Sequence, residues 1–388
     1  MNLKSLLLSS DEQTVRVVRR ALSDLEIDVE HCSSADHAIR QITRRRFEAI
    51  IVDSSTEEAS SVFRGARAAL VNKRALGIVL VESPVGLKGG FETGAHFVLH
   101  KPLAVERART SFRAVRALMK RERRRQTRVD VQVPVDCRGA GHYHARTLDI
   151  CEGGMALEFL GRVLKESSFR FSLDLPGMDE KLEIDGELAW GGKRNQAGVR
   201  FKDVTQKQRN ILRQWLSGQL PELEPDDPPI HCRLTDLSLG GCYVTTNSPF
   251  PRGTRIVLSI KTADFQVHTA GVVLVAHPEF GMGVEFLQTT TEQRDQARRM
   301  IATLRANGDT WPELQVEPDG LETSWTDDGV AVFQSSADQA STAQASATEI
   351  PGSEDALVDL FRQKFQAPVD TFLQQMREQR QSARAHLR

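Results

Sequence analysis

Along its first 119 residues the chain alternates short apolar runs with stretches whose apolar positions recur at helical spacing. LKSLLLS has the length of a buried strand, and DEQTVRVVRRALSDL follows with Val15, Val18, Ala21, Leu22 and Leu25 on one helical face. DVEHCSS, EAIIVD, GIVLVE and HFVLH are further strand-like runs, with ADHAIRQITRRR among the helical segments between them. Five strands interleaved with helices predict an α/β doubly wound parallel sheet. Residues 103–128 then read as one basic helix, on which Phe112, Val115, Leu118 and Met119 keep an apolar stripe. Past Met119 the stripe gives way to KRERRRQTR, which is expected to be a solvated connector.

The pattern changes to alternation after residue 128. VDVQVPVDC, HARTLDICEGGMALEF, FRFSLDLP, KLEIDGELAW and QAGVRF predict a small antiparallel barrel, closed by the helix TQKQRNILRQWLSG. IHCRLTDLSLGGCYVTT, TRIVLSIKT, FQVHTAGVVLVA and FGMGVEF repeat that order, followed by the helix TEQRDQARRMIATLRA. The repeat shows in two pairs, DICEGG (149–154) against DLSLGG (236–241) and AGVRF against MGVEF. Between the copies, SGQLPELEPDDPP is an acidic, proline-rich linker. Residues 306–353 contain no Lys or Arg and are expected to be a disordered acidic linker. Residues 354–388 predict an amphipathic helix with Leu357, Leu360, Phe361 and Phe365 on one face, continued past Pro368 by Phe372, Leu373 and Met376. Such a helix either binds a partner or docks back on the body.

Composition narrows the function classes. With 388 residues, 40% apolar and 27% charged, the chain is globular and multidomain. A net charge of −1 excludes a uniformly basic nucleic-acid coat, so nucleic acid is not an expected partner. No run reaches the ~18 apolar residues of a membrane span, and the N-terminal run lacks a cleavage site, so a cytoplasmic location is expected. Five scattered cysteines without a CxxC pair or Cys/His metal spacing fit a reducing compartment, and neither a metal nor a cofactor is expected. The absence of GxSxG, HExxH and Walker patterns points away from an enzyme.

Residues 1–119 resemble a response-regulator receiver domain. EAIIVD ends at Asp53, at the phospho-acceptor position, and TGAHFVLHKPL places Lys101 at the switch-lysine position. The acidic pair after the first strand is replaced by Ser9-Ser10, with Asp11 next, and Val81-Glu82 stand where a Thr or Ser is usual. Phosphorylation of an aspartate needs Mg²⁺ held by carboxylates, so the expectation is a degenerate receiver used for docking or dimerisation.

Both barrel segments resemble PilZ domains, bacterial receptors for cyclic diguanylate. That family carries an RxxxR motif at the barrel mouth and a D/N-x-S-x-x-G motif some twenty residues later. In the first copy Arg123, Arg124 and Arg128 match the former, and Asp149, Cys151 and Gly154 the latter, with Cys151 in place of serine. Guanidinium forks suit both the Hoogsteen edge of guanine and phosphate. Asp149 can accept from a guanine or orient an arginine, and the Gly153-Gly154 turn can admit the ligand to the backbone. The second copy keeps Asp236, Ser238 and Gly241 but has no arginine motif, and reads as a non-binding module.

The resemblance implies this order: degenerate receiver (1–119), PilZ domain with the arginine motif (120–216), linker (217–229), degenerate PilZ domain (230–305), acidic linker (306–353) and amphipathic helix (354–388). It implies a cyclic diguanylate effector in which ligand orders a mobile arginine hinge and so changes inter-domain geometry. A protein partner would read that change through the receiver-like domain or the C-terminal helix. The alternative is a response regulator switched by phosphorylation of Asp53, with the PilZ domains as docking modules.

Overall fold

The computed structural model describes residues 2–53, 56–69, 71–82, 94–161, 168–191, 195–221, 225–261, 266–277, 280–287 and 313–321, with isolated positions at 295, 298–299, 301–302, 371–372 and 374–375. It resolves into two compact units, residues 122–225 and residues 2–121 together with 226–388.

In the second of these units the chain begins as a five-stranded parallel sheet. Its strands are β1 (Leu3–Leu8), β2 (Ile27–Cys32), β3 (Ala49–Asp53), β4 (Leu76–Val81) and β5 (Phe97–His100), in the order β2-β1-β3-β4-β5. This is the doubly wound order whose functional crevice lies beyond the strands' C-terminal ends. Helices α1 (Glu12–Ser23), α2 (Ala35–Arg44) and α3 (Thr56–Ala68) lie between the early strands, and α4 (Val105–Gln126) follows β5. Near-continuous burial of β1, β3 and β4 reflects cover on both faces, as a parallel sheet requires. Leu3, Leu7, Ile51 and Ile78 face one core with Phe112, Val115 and Leu118 of α4. Leu6, Ile50, Val52 and Val79 face the other with Ile42, Val62 and Phe63. The apolar stripe of α4 therefore does what its spacing predicts.

The same unit contains the later barrel. Strands β13 (Ile230–Leu237), β14 (Gly241–Thr245), β15 (Thr254–Lys261), β16 (Gln266–His277), β17 (Gly281–Phe286) and β18 (Glu313–Leu321) close in the ring β13-β14-β17-β16-β15-β18. The closing strand β18 corrects two expectations. Residues 313–321 were assigned to a disordered acidic linker, and the barrel was bounded at 305. Instead Leu314 and Val316 are buried in the barrel core, and β18 pairs with both β13 and β15. The rest of the 306–353 linker, most of the second closing helix and most of the 354–388 helix lie outside the described residues. Phe372 is described: it is fully buried, with ring centroids 5.6 Å from Tyr243 and 4.9 Å from His277, so this part of the C-terminal segment docks back on the barrel.

A third correction concerns the end of α4. Lys120 and Arg121 are buried rather than solvated, at 8% and 2% exposure. Lys120 Nζ lies 2.9 Å from Asp227, and Arg116 donates to the same carboxylate at 2.8 Å. Arg121 lies 3.4 Å from Asp319 on β18 and 3.8 Å from Asp226. Ser248 donates a hydrogen bond to the Thr110 carbonyl of α4. The acid pair of the expected linker is thus the counter-charge of the helix.

Residues 122–225 hold the other barrel. Strands β7 (Pro134–Arg138), β8 (His142–Cys151), β9 (Gly154–Phe159), β10 (Ser168–Leu173), β11 (Leu182–Gly191) and β12 (Gln196–Lys202) form the ring β8-β7-β10-β11-β12-β9, closed by β8–β9 pairing. The short β6 (Val129–Asp130) adds to the far half of β8. Helix α5 (Gln206–Gln219) starts from a reciprocal Thr205–Gln208 capping box and buries Leu212, Trp215 and Leu216 in this core. The two rings match strand for strand, except that β18 fills the slot that β7 fills in the first. In the first barrel this strand precedes the others in sequence; in the second it follows them.

Leaving one charge buried without its partner typically costs about 3–5 kcal/mol. Asp319→Ala is therefore expected to lower the stability of the unit containing α4 and β18 by about 3 kcal/mol, read by urea unfolding followed with a probe in that unit. Arg121→Met combined with Asp319→Leu is expected to recover most of the loss.

Candidate ligand site of the first barrel

The arginine motif straddles a helix end. Arg123, Arg124 and Arg125 belong to the last turn of α4, where Arg125 donates to Glu122 at 3.1 Å and the Thr127 amide donates to the Arg123 carbonyl at 3.0 Å. The expected mobile hinge is accordingly shorter than the motif. Only Thr127 and Arg128 separate α4 from β6. Arg124 Nη2 donates to Ser217 Oγ of α5 at 2.6 Å. Arg128 Nη1 donates to Asp149 Oδ1 at 2.6 Å, a charge-assisted bond with Arg128 about half exposed. Of the two roles open to Asp149, orienting an arginine is the one the geometry displays.

Asp149 follows a bulge in β8, where the register with β9 shifts between Thr147 and Asp149. A bulge re-aims the side chains next to it, and the second barrel repeats it between Leu234 and Asp236. There the carboxylate turns inward on its own chain, accepting from the Leu237 amide at 2.8 Å.

Cys151 and Gly154 serve the turn that joins β8 to β9. Cys151 is 7% exposed, so its thiol is buried rather than presented to a ligand. The matching Ser238 shows what the position does: its hydroxyl accepts from the Gly241 amide and donates to the Gly241 carbonyl, each at 3.1 Å. Gly154 is required by strand pairing. A Cβ at Gly154 would stand 2.1 Å from the Val199 carbonyl oxygen, and one at Gly241 would stand 2.2 Å from that of Val284. Gly153, with open space around its Cβ direction, is the glycine whose backbone is accessible. Two of the three motif positions thus belong to barrel construction in both copies.

Two contacts were not foreseen. Arg213 of α5 reaches Glu152, beside Cys151, at 3.5 Å, and Ser217 holds Arg124. Both partners come from the closing helix, some 60 to 90 residues downstream, and only the helical period of that segment pointed to its facing the barrel. Trp190, next to the end of β11, is 47% exposed and pairs with Gly198.

The receiver-like crevice is internally satisfied. Asp53 accepts from Ser9 Oγ at 2.7 Å through one oxygen and lies 2.8 Å from Lys101 Nζ through the other. Lys101 also lies 3.6 Å from Glu82 and 3.9 Å from Asp11. Burial pulls the Lys101 ammonium down, but the hydrogen bond and charge of Asp53, with Glu82 and Asp11, leave it above its ordinary value. Asp11 is spent as the N-cap of α1, accepting from the Gln13 and Thr14 amides and the Thr14 hydroxyl. The Thr14 hydroxyl and then the Gln13 amide hold its carboxyl below the usual range. Ser10 is exposed. The Lys101 ammonium thus sits among the three carboxylates of this crevice.

The PilZ domain family model matches residues 122–218 and 220–303. The PilZ domain of YcgR from Escherichia coli, solved with c-di-GMP, is similar at 19% identity, covering 26% of this chain and 93% of that one, with a TM-score of 0.22. The receiver domain of sensor histidine kinase PA1611 from Pseudomonas aeruginosa is similar at 22% identity, covering 27% and 90%, with a TM-score of 0.25. The chemotaxis response regulator CheY4 of Vibrio cholerae is similar at 22% identity, covering 30% and 99%, with a TM-score of 0.27. Among curated protein sequences none matches the chain. No helix among the described residues is long and apolar enough to cross a membrane.

Substituting Gly154 or Gly241 by Ala drives a methyl into a backbone carbonyl. Each is expected to destabilise its own barrel by about 1–3 kcal/mol, measured by thermal unfolding. Gly153→Ala is expected to leave stability unchanged.

Proposed function

Because the chain contains two PilZ domains, at residues 122–218 and 220–303, we propose that it is a cyclic diguanylate effector whose ligand binds the first of them. The observation that carries this reading is the Arg128–Asp149 pair, which fastens the two-residue link after α4 to the bulge of β8. A dianionic dinucleotide offers Arg128 phosphate oxygens or a guanine edge in exchange for a partly exposed carboxylate. Arg123 and Arg124, one helical turn before it, supply further forks. Ligand binding then alters the link between α4 and the first barrel, and a protein partner reads the altered geometry.

The second PilZ domain lacks this chemistry. The residues before β13 include Asp226 and Asp227, already engaged by Arg121, Arg116 and Lys120. No arginine motif precedes β13 to supply guanidinium forks, so one ligand site per chain is expected. That site holds either one molecule or a stacked pair.

Calorimetric titration of the full chain with cyclic diguanylate tests this. Arg124→Ala and Arg128→Ala are each expected to cost about 2–3 kcal/mol of binding. Arg128→Lys should recover little, since a point charge replaces a planar fork. Wild-type affinity in Arg128→Ala, or residual tight binding in the double variant, would remove the first barrel from the account.

The receiver-like domain is a docking element in this reading. Asp53→Asn is expected to leave ligand affinity within about twofold, and acetyl phosphate with Mg²⁺ is expected not to label Asp53, because Ser9 and Ser10 replace the acidic pair that would hold Mg²⁺. Stable labelling of Asp53 that alters cyclic diguanylate affinity would favour the phosphorylation-driven alternative.

A further inference from the structure

The hairpin of β7 and β8 carries a group of side chains that ligand binding at the arginine motif does not use. His142 and His144 stand two residues apart on β8, so both project from the outer face of the barrel. Asp136 on β7 lies directly opposite His144 in the antiparallel register and shares that face. His144 Nδ1 is 2.9 Å from Asp136 Oδ1, and His142 Nε2 is 3.8 Å from the same oxygen. The two imidazole centroids are 4.7 Å apart, and the three ligand-type atoms all lie within 4.8 Å of one another.

We propose that Asp136, His142 and His144 form a binding site for a divalent transition metal ion of the zinc class. Tetrahedral coordination with bonds near 2.0–2.1 Å places donor atoms about 3.3 Å apart, and the separations of 2.9 and 3.8 Å fall on either side of that value. All three side chains are exposed enough to change rotamer, at 53%, 62% and 38%, so closing the triangle disturbs no packing. Two imidazoles and one carboxylate suit zinc, nickel or copper and not magnesium or calcium, which take oxygen donors. Three protein donors on an open barrel wall leave the remaining positions to water or to a donor from another molecule. Arg138, opposite His142, is a neighbouring cation and limits the affinity. Cysteine and histidine spacing along the sequence could not reveal this site, because its third donor arrives across a hairpin.

The test is competition of the reduced full-length protein against a chromophoric chelator for Zn²⁺, with Mg²⁺ as the control ion. One Zn²⁺ per chain is expected, with no competition from Mg²⁺. His144→Ala and His142→Ala are each expected to weaken Zn²⁺ binding tenfold or more while all five cysteines remain. Asp136→Asn, which preserves shape, is expected to weaken it too, and serves as the reading if a histidine variant loses its circular dichroism spectrum. Zn²⁺ binding unchanged in the folded variants would overturn the proposal and assign the ion to the thiols. Absence of Zn²⁺ binding by the wild type would overturn it outright.

Discussion

A lysine and an arginine buried side by side near the end of a helix can remain charged only if the fold supplies anions to meet them. Here the anions come from far along the chain: Asp227 meets Lys120, and Asp319 meets Arg121 across 198 residues. Much of the remaining architecture follows from that requirement. Residue 319 can reach α4 only because β18 returns to complete the later barrel, and Asp227 only because the segment before β13 runs back to the helix. The receiver-like domain and the later barrel consequently belong to one compact unit, and the core on the α4 face of the parallel sheet is continuous with the barrel core.

The two PilZ domains solve one construction problem in two ways. Each needs a strand between the equivalents of β8 and β10. The first takes it from the chain just upstream, so the link that follows α4 brings Arg128 beside Asp149. The second takes it from downstream, which leaves its entry to an acidic segment bound elsewhere. The shared Asp-x-Ser/Cys-x-x-Gly pattern survives in both because Gly154 and Gly241 make room for a neighbouring carbonyl and Ser238 closes the turn. What distinguishes the two barrels is thus the upstream segment and not that pattern.

How much of this was legible in the sequence depends on the range of the interaction. The parallel sheet, the strands of both barrels other than β18 and the apolar stripe of α4 are written in local periodicity, and the structure has them where the pattern places them. The strand β18 was missed because ELQVEPDGL sits in an acidic tract and contains Pro318, which falls where the register with β15 shifts at Arg255 and Ile256. Its alternation of Leu314 and Val316 was present but brief. Burial of Lys120 and Arg121 had no local sign at all, since a run of charge reads as solvated until its partners are known. At the ligand site, the residue types were legible and their division of labour was not. Arg128 and Asp149 face one another as the motif suggests, whereas Cys151 and Gly154 turn out to belong to the barrel's own pairing.

The receiver-like crevice fits the same picture of charge satisfied from within. With Lys101 among Asp53, Glu82 and Asp11, and Ser9 on the second oxygen of Asp53, that end of the sheet is a closed ionic circuit. In the proposed function the part that responds to ligand is the short link from α4 to β6. Amide hydrogen exchange of the full chain, with and without saturating cyclic diguanylate, tests this most directly. The account predicts slowed exchange over residues 123–130 and 147–154, with residues 116–121, 230–237 and 313–321 unchanged. Slowing confined to residues 230–245 and 313–321, with the first barrel unaffected, would contradict it.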